Sequence, residues 1–310
     1  MDNINTALQK LLDGDVVALP TETVYGLGAD CTNDDAVQKI FFLKGRPSFN
    51  PLIIHVCDLE TALKYGKFNE AALKLARTFW PGPLTIVVPI NTPTKISTYV
   101  TAGLPTIAIR CPQHPIALEI LRKYPNPIAA PSANRSGYVS PTKYEHVYDE
   151  FGDNVFIIHG DQSCIGLEST IVDCSASEIS ILRPGFITKH QITTTLNCLV
   201  TETSSSEIIK APGQFKYHYS PKLPVRTNAT TLLPGEALLN FGENTLHAKI
   251  ELNLSPSGNL DEAAANLFDY LRQLDKNSHD DINGIAVAPI PHTGVGLAIN
   301  ERLNRAALRK

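Results

Sequence analysis

The 310-residue sequence contains no Cys-x-x-Cys pair and no cysteine–histidine cluster. Its cysteines (Cys31, Cys57, Cys111, Cys164, Cys174, Cys198) are scattered. That excludes a structural zinc site and reads as buried free thiols in a reducing cytosol. No apolar run approaches the ~20 residues that span a bilayer. The polar, acidic start, MDNINTALQKLLDGD, lacks the charged-then-apolar order of a secretory signal. A soluble, cytoplasmic protein is expected. Charge of one sign is also lacking: 27 Lys and Arg stand against 31 Asp and Glu, a net charge of −4. Residues 1–190 hold 16 basic and 19 acidic groups and the remainder 11 and 12, so no basic arm exists to grip nucleic-acid backbone indiscriminately. The G-x-x-x-x-G-K-[ST] and G-x-S-x-G patterns are missing, which removes an ordinary P-loop and a nucleophile elbow.

What is present is ordinary for a folded chain: 43% apolar and 19% charged residues, with 19 glycines and 22 prolines. The length suits about two domains of ~150 residues each, and burial of roughly 75% of the unfolded surface. Short β-branched runs alternate with amphipathic stretches. Asp15–Pro20, Leu52–Cys57, Leu84–Pro89, Thr106–Arg110, Ile128–Ala130, Val155–His159 and Ser169–Asp173 read as buried strands. Asn33 is placed to cap a helix over Asp34–Leu43, Asp58 one over Leu59–Tyr65 stopped by Gly66, and a third covers Glu70–Phe79. Thr142 and Glu145 have the spacing of a capping box for a helix beyond Pro141.

After Leu196 the pattern weakens. Thr201–Glu207 (TETSSSE) reads as a flexible linker, followed by the aromatic, proline-bounded segment Ala211–Pro221 (APGQFKYHYSP). Three rings in so short a stretch are expected to dock against something. Glu236–Phe241, a helix over Leu260–Leu274, a strand over Gly284–Pro289 and a helix near Leu297–Leu308 form a second, smaller α/β unit.

The polar motifs sit at strand edges, where open α/β sheets hold ligands. Pro20–Gly28 (PTETVYGLG) lacks the third glycine of a dinucleotide fingerprint. A structural turn accounts for Gly26 and Gly28, though not for the hydroxyls of Thr21 and Thr23. Lys44–Pro51 (KGRPSFNP) carries two cations in a proline-stiffened loop, which suits a polyanion such as a triphosphate; solvated surface charge is the competing reading. Ala129–Gly137 (AAPSANRSG) places Ser132 and Asn134 on one loop of small residues. Gly166–Thr170 (GLEST) and Leu182–Gly185 (LRPG) close the first unit.

Taken in order, PTETVYGLG, KGRPSFNPL, WPGPLT, TIAIRCPQHP, APSAN, SPT, GLEST and LRPG resemble the YrdC-like domain of the threonylcarbamoyl-AMP synthases. APGQFKYHYSP and the tail NLFDYLRQLDK…GVGLAINERLNRAA resemble the two-domain form of that family, with Gln214 where the family often has methionine. The resemblance implies a twisted, mixed-sheet α/β domain over residues 1–196, a linker or lid over 197–221 and a Rossmann-like α/β domain over 222–310. It implies synthesis of L-threonylcarbamoyladenylate and pyrophosphate from L-threonine, bicarbonate or CO2, and ATP with Mg²⁺. The product feeds threonylcarbamoyladenosine formation beside the anticodon of tRNA, completed by separate transfer proteins. Carried over position by position, Lys44, Arg46, Ser132 and Asn134 are the implied catalytic tetrad. Thr106, Ser140, Arg183 and Tyr217 join Lys44, Arg46 and Ser132 in holding ATP, and Thr21, His55, Arg110, Ala130 and Ser169 hold threonine. Arg110 is a natural fork for the amino acid's carboxylate. No metal ligand, tightly bound organic cofactor or covalent intermediate is indicated. The family's fold is also linked with double-stranded RNA, which gives an RNA-binding module as the alternative; the balanced charge speaks against it. A carbamoyl-transferring maturation enzyme would need acylphosphatase and zinc-finger segments, which this sequence lacks.

Overall fold

The computed structural model describes residues 3–202, 212, 218–276 and 282–308. In chain order the strands of the first sheet are β1 (Val17–Leu19), β2 (Gly26–Asp30), β3 (Ile53–His55), β4 (Leu84–Pro89), β5 (Thr106–Arg110), β6 (Ile128–Ala129), β7 (Phe156–Ile157), β8 (Thr170–Asp173), β9 (Ser180–Arg183) and β10 (Thr201–Glu202). They lie in the order β10-β9-β8-β4-β5-β3-β6-β2-β1-β7, with parallel and antiparallel pairs mixed. The central run Leu84–Val88 is buried throughout because both sheet faces are covered, hence its unbroken apolar character. A second sheet of β11 (Val225–Arg226), β12 (Glu236–Asn240), β13 (Glu251–Asn253) and β14 (Gly284–Val287) is wholly parallel, in the order β11-β14-β12-β13. The helices Leu260–Lys276 and Gly296–Ala307 pack on it, giving the smaller Rossmann-like unit.

Local chemistry explains the helix that precedes the site. The Asn33 side chain accepts from the amides of Asp35 and Ala36 and starts the helix Asp34–Lys44. Gly45, at φ 58°, ends it: its N–H bonds to Phe42 O and that of Arg46 to Phe41 O. This paired closure needs a left-handed residue, so the glycine sets where Lys44 and Arg46 stand.

Several expectations are corrected. The Asp58-capped helix spans only Leu59–Leu63, and Gly66 answers a packing need, since a Cβ there would lie 2.4 Å from Val88. The Thr142–Glu145 capping box does not form. Thr142 donates its amide to His146 Nδ1 and the helix runs from Tyr144 to Phe151, while the capping box that does form pairs Thr188 with Gln191. Gly26–Asp30 is a strand and not a turn: at Gly28 a Cβ would lie 2.6 Å from Leu19 and 2.9 Å from Ile128. The helices Asn3–Leu12, Pro115–Lys123 and Lys189–Leu196 went unread. Thr201–Glu202 is not linker: it pairs with Ser180–Ile181, and Val200 is buried in the core, so the first sheet continues past Leu196. The rest of Thr201–Glu207 lies outside the described residues. All cysteines are free, but Cys164 and Cys198 are exposed and Cys57 half-buried, so only part of the set is interior.

The two units share one apolar cluster. Val24, Val139, Ile165 and Leu167 of the first pack with Tyr219, Leu267 and Phe268. Tyr219, the one ring of the aromatic segment among the described residues, is fully buried and stacks on Phe268 at 5.4 Å, so it docks as expected. Among the described residues no helix is long and apolar enough to cross a membrane.

Candidate functional site

Neighbouring strands β3 and β5 run parallel with His55 in register with Arg110, which sets these two side by side at their C-terminal ends. Ala130 follows β6 and is held by its amide to Ile53 O, adding a wall with almost no side chain. The loop after β1 brings the hydroxyls. Thr21 Oγ1 donates to Val24 O (2.6 Å), accepts from Val24 N (3.2 Å) and meets Thr23 Oγ1 at 2.9 Å. Arg110 reaches into this loop, Nη1 to Thr23 Oγ1 at 2.8 Å and Nη2 to Glu22 Oε1 at 2.6 Å, with Nε on Gly82 O of the WPGPLT motif. Thr23 lines the cleft, and Thr21 stands behind it and holds its position. The sequence reading noted the Thr23 hydroxyl but assigned threonine binding to Thr21, and Glu22 escaped it although it lies between them.

The other half of the cleft is cationic. Arg183, at the end of β9, donates from Nε and Nη2 to Ser169 O (3.1 and 2.9 Å) and from Nη2 to Ser169 Oγ (3.2 Å). Ser169 Oγ also meets Thr85 Oγ1 at 2.7 Å, so its position is set from both sides. Arg46 is half-buried, its Nε on Asn50 O and Nη2 on Pro51 O. Lys44 departs from the picture of a loose surface cation. It is buried, and its ammonium donates to the main-chain carbonyls of Ser132 and Asn134. The lysine therefore builds the APSAN loop, which Ser136 N ties back to Lys44 O. Asn134 Nδ2 bridges Arg135 O and Tyr138 O. Ser140 is buried and donates to Glu168 Oε1 at 2.6 Å.

The structure thus brings Arg46, His55, Arg110, Ala130, Ser132, Ser169 and Arg183 to one cleft, with Lys44, Asn134, Ser140 and Thr21 in contact behind it. Thr106 is not with them. It starts β5, four residues and thus about 13 Å of strand from Arg110. Tyr217 lies outside the described residues. Glu168 and His218 also line the cleft and were missed. The GLEST and KYHYSP motifs contain them, but a motif does not say which member faces inward.

Electrostatics divides the site. Burial, helped by the Arg110 charge, pushes the His55 imidazole down to about 3, so it is neutral near pH 7. Burial and the neighbouring Arg183 guanidinium lower Arg46 to about 9. Burial, then Arg46, drives Lys44 well below an ordinary lysine. Burial alone would raise Glu168, but the guanidinia of Arg302 and Arg183 outweigh it and hold the carboxyl at about 2. Mutually repelling cations beside few carboxylates make a site for a polyanion. Buried polar atoms without partners cluster here too: His55 Nδ1, Glu22 Oε2, Asn134 Oδ1 and His218 Nδ1. Such atoms are costly unless a ligand meets them. Among the described residues no group of three or more His, Cys, Asp or Glu is placed to hold a metal ion. A larger cavity of about 530 Å³, between Lys10 and His159, holds none of these residues.

Two family models match the chain, one described as Telomere recombination (Sua5, YciO and YrdC) over residues 9–185 and one as Threonylcarbamoyl-AMP synthase, C-terminal domain, over residues 187–308. The threonylcarbamoyl-AMP synthase of Bacillus subtilis is 40% identical, covering 98% of this chain and 92% of its own. That of Pyrococcus abyssi is 36% identical over 98% and 94%. Among solved structures, P. abyssi Sua5 complexed with L-threonine aligns with a TM-score of 0.90 at 34% identity, covering 98% of this chain and 94% of that one.

Proposed function

Starting from the fact that the chain belongs to the threonylcarbamoyl-AMP synthases in their two-domain form, we propose how its residues carry out that synthesis. Threonine's amine attacks CO2, forming the N–C bond of a carbamate and losing a proton. A carbamate oxygen then attacks the α-phosphorus of ATP, the Pα–O–Pβ bond breaks, and pyrophosphate leaves. Arg110 forks the threonine carboxylate, Thr23 and neutral His55 offer hydrogen bonds without charge, and Ala130 and Ser169 shape the side-chain pocket. Arg46 and Arg183 take the phosphates, on which charge builds as pyrophosphate departs. Mg²⁺ arrives with ATP and neutralises phosphate charge when bound. Lys44 orders the Ser132–Asn134 loop against which the nucleotide lies, and Ser140 meets the nucleotide from behind Glu168. Thr106 and Tyr217 remain ATP-binding residues by family position alone.

One observation carries this reading: a single cleft joins a carboxylate-matching arginine at one end to a repelling pair of guanidinia at the other. Pure protein incubated with ATP, Mg²⁺ and bicarbonate is expected to yield the threonylcarbamoyl adenylate by mass only when threonine is added. Pyrophosphate release indifferent to threonine would refute it.

The segment 203–221 acts in this proposal as a lid between the first domain, whose sheet runs on to Glu202, and domain 222–310. Its described parts support that: Pro212 O accepts from Arg183 Nη1, and Pro212 and His218 both line the cleft, where only about 40 Å³ stays open. Admitting a nucleotide requires them to move, and their return shields the labile adenylate from water. Limited proteolysis across 211–221 is expected to slow when ATP and threonine are both present. The product is handed, in the cytoplasm, to separate proteins that transfer the threonylcarbamoyl group to adenosine beside the anticodon of tRNA.

A further inference from the structure

Glu168, in the cleft wall, has both oxygens engaged. Oε1 accepts the Ser140 hydroxyl proton at 2.6 Å, and Oε2 faces Arg302 Nε at 3.1 Å. Arg302 belongs to the helix Gly296–Ala307 of the second domain and is fully buried. Its Nη1 pairs with Glu301, and its guanidinium lies 5.3 Å from the centre of the Tyr219 ring, which itself stacks on Phe268. A carboxylate at each end and an aromatic face beneath fix its orientation.

Domain docking does not need this arginine. The apolar cluster of Val24, Val139, Ile165, Leu167 and Phe268 already joins the two units, and a buried ion pair seldom outperforms apolar packing in stability. Arg302 even leaves Nη2 without a partner. What it does achieve is local to the cleft.

We propose that Arg302 is a positioning residue for the nucleotide, acting through Glu168 to leave the Ser140 hydroxyl with only lone pairs to offer. A serine hydroxyl has one proton and two lone pairs, and an ionised carboxylate can only accept. Paired with Arg302, Glu168 stays ionised, and Ser140 must commit its proton to it. Ser140 therefore presents an acceptor and selects a donor on the nucleotide, a ribose hydroxyl or the adenine amino group, over a phosphate oxygen. The second domain thereby enters the chemistry of the first, beyond anchoring the segment between them. This rests on the reading that ATP occupies the cleft beside Ser140.

The test compares the parent with Glu168→Gln/Arg302→Met, which removes both charges together so that no lone buried charge unfolds the protein. The adenylate assay is run with ATP and with 2′-deoxy-ATP, 3′-deoxy-ATP and inosine triphosphate, each lacking one candidate donor. In the parent, one analogue is expected to raise the nucleotide KM by about tenfold, as loss of a matched buried donor does. In the double variant the KM for ATP itself rises by about tenfold and that analogue's penalty falls below about threefold, because the Ser140 proton is no longer committed. The threonine KM stays within about twofold of the parent, which purely structural damage would not allow. An unchanged ATP KM in the double variant, a parallel rise in both substrates' KM, or an analogue penalty that persists overturns the proposal. A parent that makes no adenylate would instead overturn the function on which it rests.

Discussion

Arg110 and Glu22 form a buried ion pair, 2.6 Å from Nη2 to Oε1, at the end of the cleft that suits an amino acid. The arginine fork is thus half-occupied by an internal carboxylate, and the second Glu22 oxygen has no partner. This places a carboxylate and a guanidinium together where a zwitterion has the same two groups to match.

Glu22→Gln is expected to lower the melting temperature, because breaking a buried pair leaves Arg110 uncompensated at a cost of about 3–5 kcal/mol. Threonine should restore more of it in the variant than in the parent, since its carboxylate supplies the missing charge. Thermal shift with and without threonine measures both. Equal ligand-induced shifts would mean that threonine's carboxylate does not reach Arg110.

Lys44→Ala should damage stability as well as synthesis. Its ammonium makes hydrogen bonds to Ser132 O and Asn134 O, and each charged hydrogen bond is worth about 1.5–3 kcal/mol. Arg46→Ala, at a half-exposed position, should lose synthesis with a smaller fall in melting temperature. Paired melting curves and pyrophosphate-release rates test the contrast. A Lys44→Ala protein as stable as the parent would assign the lysine to phosphate contact alone.

Acid should lower the stability of the fold through Glu168. Its folded value of about 2 lies below the ordinary 4.5, so its contribution is fully present above about 4.5 and disappears as the pH falls toward 2. The window corresponds to about 3 kcal/mol by the linkage relation. Urea titrations at pH 5 and pH 3 should therefore show a larger loss of stability for the parent than for Glu168→Gln/Arg302→Met, which leaves no unpaired buried charge. Identical losses would mean that Glu168 is not held down by Arg302 and Arg183.

Gly166→Ala is expected to separate the domains while leaving each sheet intact. Gly166 has φ +70°, and a Cβ there would lie 2.4 Å from Ala264 O and 2.6 Å from the Ala265 Cα, both backbone atoms of the helix Leu260–Lys276. Neither neighbour can move without shifting the helix. Small-angle scattering should show a more extended molecule with unchanged circular dichroism. A compact variant of parent stability would rule out the tight approach.

The sequence alone determined whatever depends on local order. Apolar runs and caps placed Leu84–Pro89, Thr106–Arg110 and Glu70–Phe79 at their observed ends, because propensity and side-chain capping act over a few residues. The ordered motifs also named most of the residues that meet in the cleft. Orientation was another matter. Which of Thr21, Glu22 and Thr23 faces the ligand depends on how Arg110, some ninety residues later, reaches across a neighbouring strand. Lys44 read as a loop cation meeting a polyanion, or as surface charge, because the carbonyls that bury it come from residues 132 and 134. Glu168 acquires its charge state from Arg302, on a helix of the other domain. Gly26 and Gly28 read as a turn because the Leu19 and Ile128 side chains that exclude a Cβ at Gly28, and the Ala130 side chain that crowds Gly26, arrive only when the sheet assembles. Burial, charge pairing and close approach are properties of neighbours in space, and the tertiary structure alone decides who those neighbours are.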